Sequence, residues 1–384
     1  MCYFTCMYTM VKYSAFLLVG WLFCMSCKKK DIRNNSDTRW NTNNEIPLRY
    51  AKKFKIHKDL NSYHLSVFPD RDTLHYDFAL QSENTNTTST VTPLRIPVQR
   101  IIVTSTTDIP SLEVLGQVST LVGFPSPDYI SSPKVRSRIS EGEISDVGQE
   151  VRLNVESVLA LRPEVVVVSS NEESSGINAL LQQNGITVIP NASWLERHPL
   201  GRVEWLLVYG ILYDQLDQAQ KIVTTIINNY NDQKQKAARV AKTSRVISGS
   251  SYKGVWYMPG GGSYMATLMA DARMDYIWKD TPDTGSLTLD FERVLTKSKG
   301  ASIWIGAPDA NSIQHLISDQ PLLQHLECID KGMVFTYKKS DRGGIPLYEE
   351  GALYPDRILE DLIQIRSSQN KMTSPLHFYQ KLPR

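Results

Sequence analysis

Few residue types in this chain are spaced for chemistry. Seven histidines are present, none in HExxH or HxxxH spacing, so zinc hydrolase chemistry has no support. Five cysteines are present: Cys2, Cys6, Cys24, Cys27 and Cys328. Four of them fall at the extreme N-terminus, which leaves the body without a disulfide framework or a CxxC pair. Cys24 and Cys27 do have CxxC spacing, but inside an apolar run where a redox or zinc pair has little to do. Pro259-Gly260-Gly261-Gly262-Ser263 could cradle an anion on its amides, yet it lacks the GK[ST] ending of a nucleotide loop. It reads better as a turn at a helix start, with Ser263 at the N-cap and open to a cleft. No GxSxG elbow is present for a hydrolase serine. Aromatic residues remain: Tyr129, Trp194, Tyr252, Trp256, Tyr257 and Trp304, which suit a large flat ligand.

Elements able to position those rings are legible as apolar runs. RIIVTS, STLVGF, PEVVVVSS and GITVIPN come first, then RVISGS, SIWIG and MVFTY. Such runs, alternating with helical patterns, predict parallel sheets buried on both faces. Two stretches repeat the same grammar. Arg100–Ser105 is echoed by Arg245–Ser250, 145 residues on, and LNVESVLALRPEVVVVSS (Leu153–Ser170) by LDFERVLTKSKGASIWIGA (Leu289–Ala307), offset by 136. Nearly equal offsets point to a duplicated fold. Glu156 and Glu292 occupy the same place in the two copies. Between the copies, Val203–Lys242 predicts two helices broken near Asp214, the longer one bridging two lobes. One helical face carries Leu206, Leu207, Ile211 and Leu212.

The first 48 residues read as an address and a tether. Tyr13–Phe23 is an apolar run of signal-peptide length after Lys12, and either Met1 or Met10 can serve as the start. FCMSCKKKD resembles a bacterial lipobox, with Ser26 before the cysteine to be lipidated, Cys27. An uncleaved anchor or a cut elsewhere is the alternative. Lys28–Glu45 is polar and too poor in apolar residues to build a core. Residues 49–93 predict short strands followed by a polar loop.

Composition narrows the class. The chain has 384 residues, 41% apolar and 21% charged, with a net charge of +2. Wholesale disorder and a polytopic membrane protein are excluded, and the charge balance offers no basic footprint for nucleic acid.

From Leu94 to Ile365 the sequence resembles the substrate-binding proteins that capture metal chelates (cobalamin, ferric siderophores or haem) for ABC importers. The two glutamate-bearing repeats and the bridging helix carry the likeness; WLERHPLGRVEW and VWYMPGGGSYMA suggest a lipoprotein branch. The resemblance implies an α/β fold of two Rossmann-like lobes with parallel sheets, bridged by a long rigid helix, plus a small N-terminal β segment. Expected boundaries are 1–26 for the signal peptide, 27–48 for a lipid-anchored stalk, 49–93 for the β segment, 94–213 for the first lobe, 214–243 for the bridging helix and 244–384 for the second lobe with C-terminal helices. It also implies an exported, lipid-anchored monomer on the periplasmic side of a bacterial membrane, with no reaction, no cofactor or metal of its own, and importer permease subunits as partners. Glu156 and Glu292 are then the permease-docking pair.

Ligands of open parallel sheets sit beyond the carboxyl ends of the strands. That rule selects Thr104–Asp108, Ser126–Tyr129, Ser169–Asn171 and Asn191–Trp194 in one lobe. In the other it selects Ser250–Met258, Ala307–Asn311 and Tyr337–Arg342. The ligand-binding candidates are Thr106, Thr107, Tyr129, Trp194, Arg202, Tyr252, Trp256, Tyr257, Ser263 and Arg342. Core packing is the competing role for Trp256 and Trp304, and an ion pair with Glu196 or Glu204 on a solvated face for Arg202. An iron chelate ranks first as ligand and cobalamin second. The rival functions are a surface lipoprotein binding peptide or glycan through the N-terminal strands, and a metal-centre enzyme on the same fold.

Overall fold

Runs of β-branched residues without polar alternation form the central strands, because a strand covered on both faces needs apolar side chains on both. The computed structural model describes residues 44–60, 62–69, 74–80, 94–169, 175–239, 244–252, 254–340, 344–367 and 374–384. The chain opens with β1 (Phe54–Lys58), β2 (Ser62–Val67), β3 (Leu74–Leu80) and β4 (Leu94–Ile96), a four-stranded sheet in that order. The first three strands are an antiparallel meander, and β4 joins β3 in parallel.

Two buried carboxylates fasten the segment before this sheet to the body. Glu204 accepts the backbone N–H of Arg49, Tyr50 and Ala51 at 2.8, 2.9 and 2.6 Å. Glu196 accepts those of Lys52 and Lys53 at 2.9 and 2.8 Å. Hydrogen bonds to ionised acceptors are stronger than neutral ones, so five consecutive amides are held by two side chains. Phe54 packs against Trp205, ring centroids 4.8 Å apart.

The first lobe contains β5 (Ile101–Val103), β6 (Leu121–Phe124), β7 (Ser145–Asp146), the hairpin β8 (Gly148–Gln149) and β9 (Arg152–Leu153), then β10 (Val165–Ser169) and β11 (Thr187–Asn191). Its five-stranded sheet runs β11-β10-β5-β6-β7 and is parallel throughout.

The second lobe contains β12 (Ser244–Ser248), β13 (Ser250–Tyr252), β14 (Val255–Pro259), β15 (Met274–Tyr276), β16 (Ser286–Asp290), β17 (Ile303–Ala307), β18 (Val334–Tyr337) and β19 (Tyr379–Lys381). Its main sheet runs β15-β12-β17-β18-β19, parallel except for β19 at the edge. Reversed, β18-β17-β12-β15 reproduces β11-β10-β5-β6 strand for strand. The duplication read from the sequence is therefore a duplication of topology. β13, β14 and β16 make a separate antiparallel sheet, which the strand runs did not predict.

Between the lobes, helices Leu206–Leu212 and Leu216–Ala238 meet at Asp214, whose φ of +51° turns the chain through the left-handed region. Asp tolerates that conformation better than most residues, and the break falls where the pattern placed it. Gly210 permits the approach of the two helices: a Cβ there would lie 2.7 Å from the Ala219 Cβ. The shorter helix is buried on all sides and not on one face as expected, since Val208, Tyr209 and Gly210 are also covered. The longer helix, about 35 Å at 1.5 Å per residue, buries Leu216, Ala219, Val223, Ile226, Ile227 and Tyr230. Its Tyr230 hydroxyl donates to Asp271 at 2.6 Å, and Lys234 pairs with the same carboxylate at 2.8 Å.

Candidate functional site

The carboxyl ends of β5 and β6 open onto a depression of about 370 Å³ lined by Thr104, Ser105, Thr106, Ser126, Tyr129 and Glu150, among others. Ser105 caps the turn after β5: its Oγ accepts the Thr107 N–H at 3.3 Å and lies 2.8 Å from the Thr107 hydroxyl. The Thr107 hydroxyl is thus partly engaged, while Thr106 lines the depression. Tyr129, 73% exposed, stands at the rim.

Behind this wall Asp108 is buried, accepting a hydrogen bond from Asn191 Nδ2. Burial pushes its carboxyl up to about 7, opposed by the hydrogen bond from Asn191.

In the second lobe the small antiparallel sheet sorts the aromatics by strand alternation, since successive side chains point to opposite faces. Ser250 pairs with Tyr257 and Tyr252 with Val255, so Tyr252 and Tyr257 share one face, together with Thr288 opposite Tyr257. They are 62% and 42% exposed. Trp256 points the other way, opposite Leu289, and is 0% exposed. Its ring packs 5.1 Å from that of Trp304 and 5.9 Å from that of Phe291, and its Nε1 donates to the Ser248 carbonyl at 3.1 Å. Trp256 is a core residue, which corrects its assignment as a ligand contact. Trp304 is equally buried and donates to the Gly249 carbonyl at 2.8 Å.

Other candidates move as well. Arg202 is not on a solvated face: its guanidinium lies 4.1 Å from the Tyr264 ring centroid and donates to the Trp194 carbonyl at 3.1 Å. Neither Glu196 nor Glu204 is its ion-pair partner, because both carboxylates hold the amides of residues 49–53. Burial lowers the Arg202 pKa from its ordinary value. Ser263 is buried, and its Oγ accepts the Ala266 N–H at 3.2 Å as the helix N-cap, so its place is structural. The three preceding glycines cradle no anion. Gly260 and Gly262 N–H donate to the carbonyls of Gly285 and Asp283 at 2.8 and 2.9 Å, and Gly261 N–H to the Thr281 hydroxyl at 2.8 Å. Cys27, Asn171 and Arg342 lie outside the described residues.

Trp194, 52% exposed, follows β11 in the first lobe. Three residues on, the exposed Arg197 shares a depression of about 380 Å³ with Pro282–Ser286 of the second lobe. Arg197 carries no signal in the sequence, because it lies beyond the strand-end residues Asn191–Trp194 that the rule for parallel sheets selects. Beyond β17 and β18, Asp309 and Lys339 form an exposed ion pair at 2.6 Å. Groups of three or more histidine, cysteine or acidic residues able to hold a metal are absent among the described residues. Cys328 is buried, which pushes its thiol up to about 12 and leaves it unreactive.

A direct lobe-to-lobe contact was also missed. The buried Glu349, on helix Pro346–Glu350, accepts the N–H of Ser131 at 2.5 Å and of Ser132 at 2.9 Å. These amides follow Tyr129 by two and three residues. The Ser132 hydroxyl donates to Glu113. Burial pushes the Glu349 carboxyl up to about 7, opposed by the two amides.

Glu156 and Glu292 are both exposed and both sit two residues after a helix N-cap. Asn154 caps the first helix by accepting the Ser157 N–H at 3.1 Å, and Asp290 caps the second by accepting that of Arg293 at 2.7 Å. A carboxylate in the first turn suits the helix dipole, and that alone would account for either residue.

A family profile described as "Periplasmic binding protein" matches residues 101–340. An uncharacterized lipoprotein of Methanocaldococcus jannaschii is 26% identical over 298 residues, covering 75% of this chain and 70% of its own length. Two solved structures share the fold. One is the siderophore-binding protein BauB, bound to a complex between two molecules of acinetobactin and ferric iron. It has a TM-score of 0.56 at 15% identity, with 79% of this chain and 99% of that one covered. The other belongs to an ABC-type Fe3+-hydroxamate transport system of Saccharomonospora viridis, with a TM-score of 0.52 at 16% identity, covering 71% and 94%.

Proposed function

Because the chain belongs to the periplasmic binding protein family, we propose that it captures a ferric chelate between its two parallel-sheet lobes and delivers it to an ABC importer. One observation carries the reading: exposed aromatic rings occur on both lobes, Tyr129 and Trp194 after β6 and β11 in the first, and Tyr252 and Tyr257 on one face of the small β13-β14 sheet that follows β12 in the second. Flat rings flanked by a few hydroxyls suit a large chelate of mixed polarity. Solved structures of this fold include binders of a ferric siderophore, of haem and of vitamin B12 at similar likeness, and iron ahead of cobalamin is the ranking put to the test below. The reading assigns no reaction to the protein.

Delivery rests on Glu156 and Glu292. Their equal positions on two capped helices, one in each copy of the fold, suit a pair of charge-assisted contacts to two permease subunits. Export and a lipid anchor at Cys27 are part of the same reading, supported by the lipoprotein description of the M. jannaschii relative. No helix among the described residues is long and apolar enough to cross a membrane.

A heat-shift screen against ferric siderophores, haem and cobalamin tests the ligand class. A ligand bound only by the native state raises the unfolding midpoint by mass action. Ferric chelates should do so; a shift with cobalamin alone would reverse the ranking, and no shift with any chelate would sink it.

A further inference from the structure

The depression at the carboxyl ends of β5 and β6 is acidic. Among the described residues that line it, Glu150 alone is charged, and none is Lys or Arg. Glu150 is exposed and sits in the turn of the β8-β9 hairpin, just past the pair Gln149–Arg152. That hairpin is fastened to the depression at its base, where Asp146 accepts the Gly148 N–H at 2.8 Å and the Ser126 N–H at 3.3 Å. A further carboxyl, Asp108, stands behind the wall. Burial raises its pKa, and the charge of Glu150 adds to the rise.

The groups that meet a ligand here are acceptors. The Ser126 hydroxyl spends its proton on the Gly148 carbonyl at 3.3 Å, so toward the depression it only accepts. The face of the exposed Tyr129 ring at the rim carries the negative side of its quadrupole. Arg136, beside this wall, does not offset the charge: its Nη1 donates to the Pro127 carbonyl at 2.9 Å and lies 3.5 Å from Asp128. Arg197 lines the other depression. A carboxylate, an aromatic face and an accepting hydroxyl together match a cation rich in donors, such as an alkylammonium.

We propose that this depression takes an alkylammonium arm of the chelate, held between the Glu150 carboxylate and the Tyr129 ring, and so selects uncharged ferric cores with a cationic arm over anionic ferric complexes. The proposal rests on capture of a ferric chelate and adds the charge of that chelate. Hydroxamates fit, because three of them neutralise a ferric ion. Catecholates do not, because each brings a second negative charge.

Calorimetric titration of the full chain with ferrioxamine B, whose arm ends in an ammonium, and with its N-acetylated form tests the site. The two probes differ only at that amine. Wild type should bind the ammonium form about fivefold tighter, as an exposed ion pair joined by a cation–π contact allows, and the preference should shrink as salt rises. Glu150→Gln should abolish the preference and Glu150→Lys should invert it. A loss of fold or packing would weaken both forms together and leave their ratio unmoved. Equal affinity of wild type for the two forms, a preference that survives in Glu150→Gln, or tighter binding of an anionic ferric catecholate would each overturn the proposal and leave ferric-chelate capture standing. No binding of any of the three chelates would overturn both.

Discussion

Glu349 of the second lobe receives the amide of Ser132 in the first at 2.9 Å, and takes the neighbouring Ser131 amide with its other oxygen. One side chain thereby fixes the backbone that carries Tyr129, two residues before Ser131. Glu349→Ala would orphan the buried Ser132 amide and the half-buried Ser131 amide and should destabilise the protein by about 1–3 kcal/mol. Glu349→Gln keeps one acceptor and should lose less. Denaturant unfolding of the two variants gives the comparison; equal loss would assign the effect to packing alone.

The pH dependence of this contact follows from the raised carboxyl. A folded value near 7 against an ordinary 4.5 means that the folded state binds the proton more tightly than the unfolded one. The resulting stabilisation is fully present below about pH 4.5 and is lost as pH rises through 7. Burial is the first cause, and Glu113 and Glu350 add to it. Asp108 titrates in the same window, so the difference between wild type and Glu349→Gln is the quantity to follow. That difference should shift in favour of wild type as pH falls from 7.5 to 4.5. A flat difference would remove Glu349 from the titration.

Trp256 and its neighbour separate core from cleft. Trp256→Ala should cost about 3–5 kcal/mol of stability, as large-to-small changes of buried aromatics do. Tyr257→Ala, on the exposed face of the same strand, should stay within about 1 kcal/mol. Thermal and denaturant melts of both variants decide the matter.

Much of the fold was readable in the chain. Val165–Val168 and Ile101–Val103 announce doubly covered strands, and Asp214 falls between two helical patterns. What stayed hidden depends on partners far off in sequence. Trp256 looked available because VWYMP reads as a loop after a strand; only its pairing with β16 reveals the alternation that turns the ring inward. Glu196 and Glu204 look like surface charges until residues 49–53 present five amides to them. Glu349 carries no local signal at all, since its partners lie 217 and 218 residues away.

Docking and capture should come apart on mutation. Glu156→Ala combined with Glu292→Ala should leave chelate affinity within about twofold, because rim charges govern encounter more than a distant site. Uptake through the cognate importer should fall strongly. Normal uptake with the folded double variant would remove the docking role, and lost affinity would place these residues at the ligand.

The account turns on a ferric chelate held by rings from both lobes. Titration of a ferric hydroxamate siderophore into wild type, Tyr129→Ala and Tyr257→Ala measures this directly. One chelate per chain is expected, with each truncation weakening binding about thirtyfold, equivalent to about 2 kcal/mol. Full affinity in both folded variants, or no binding by the wild type, would contradict it.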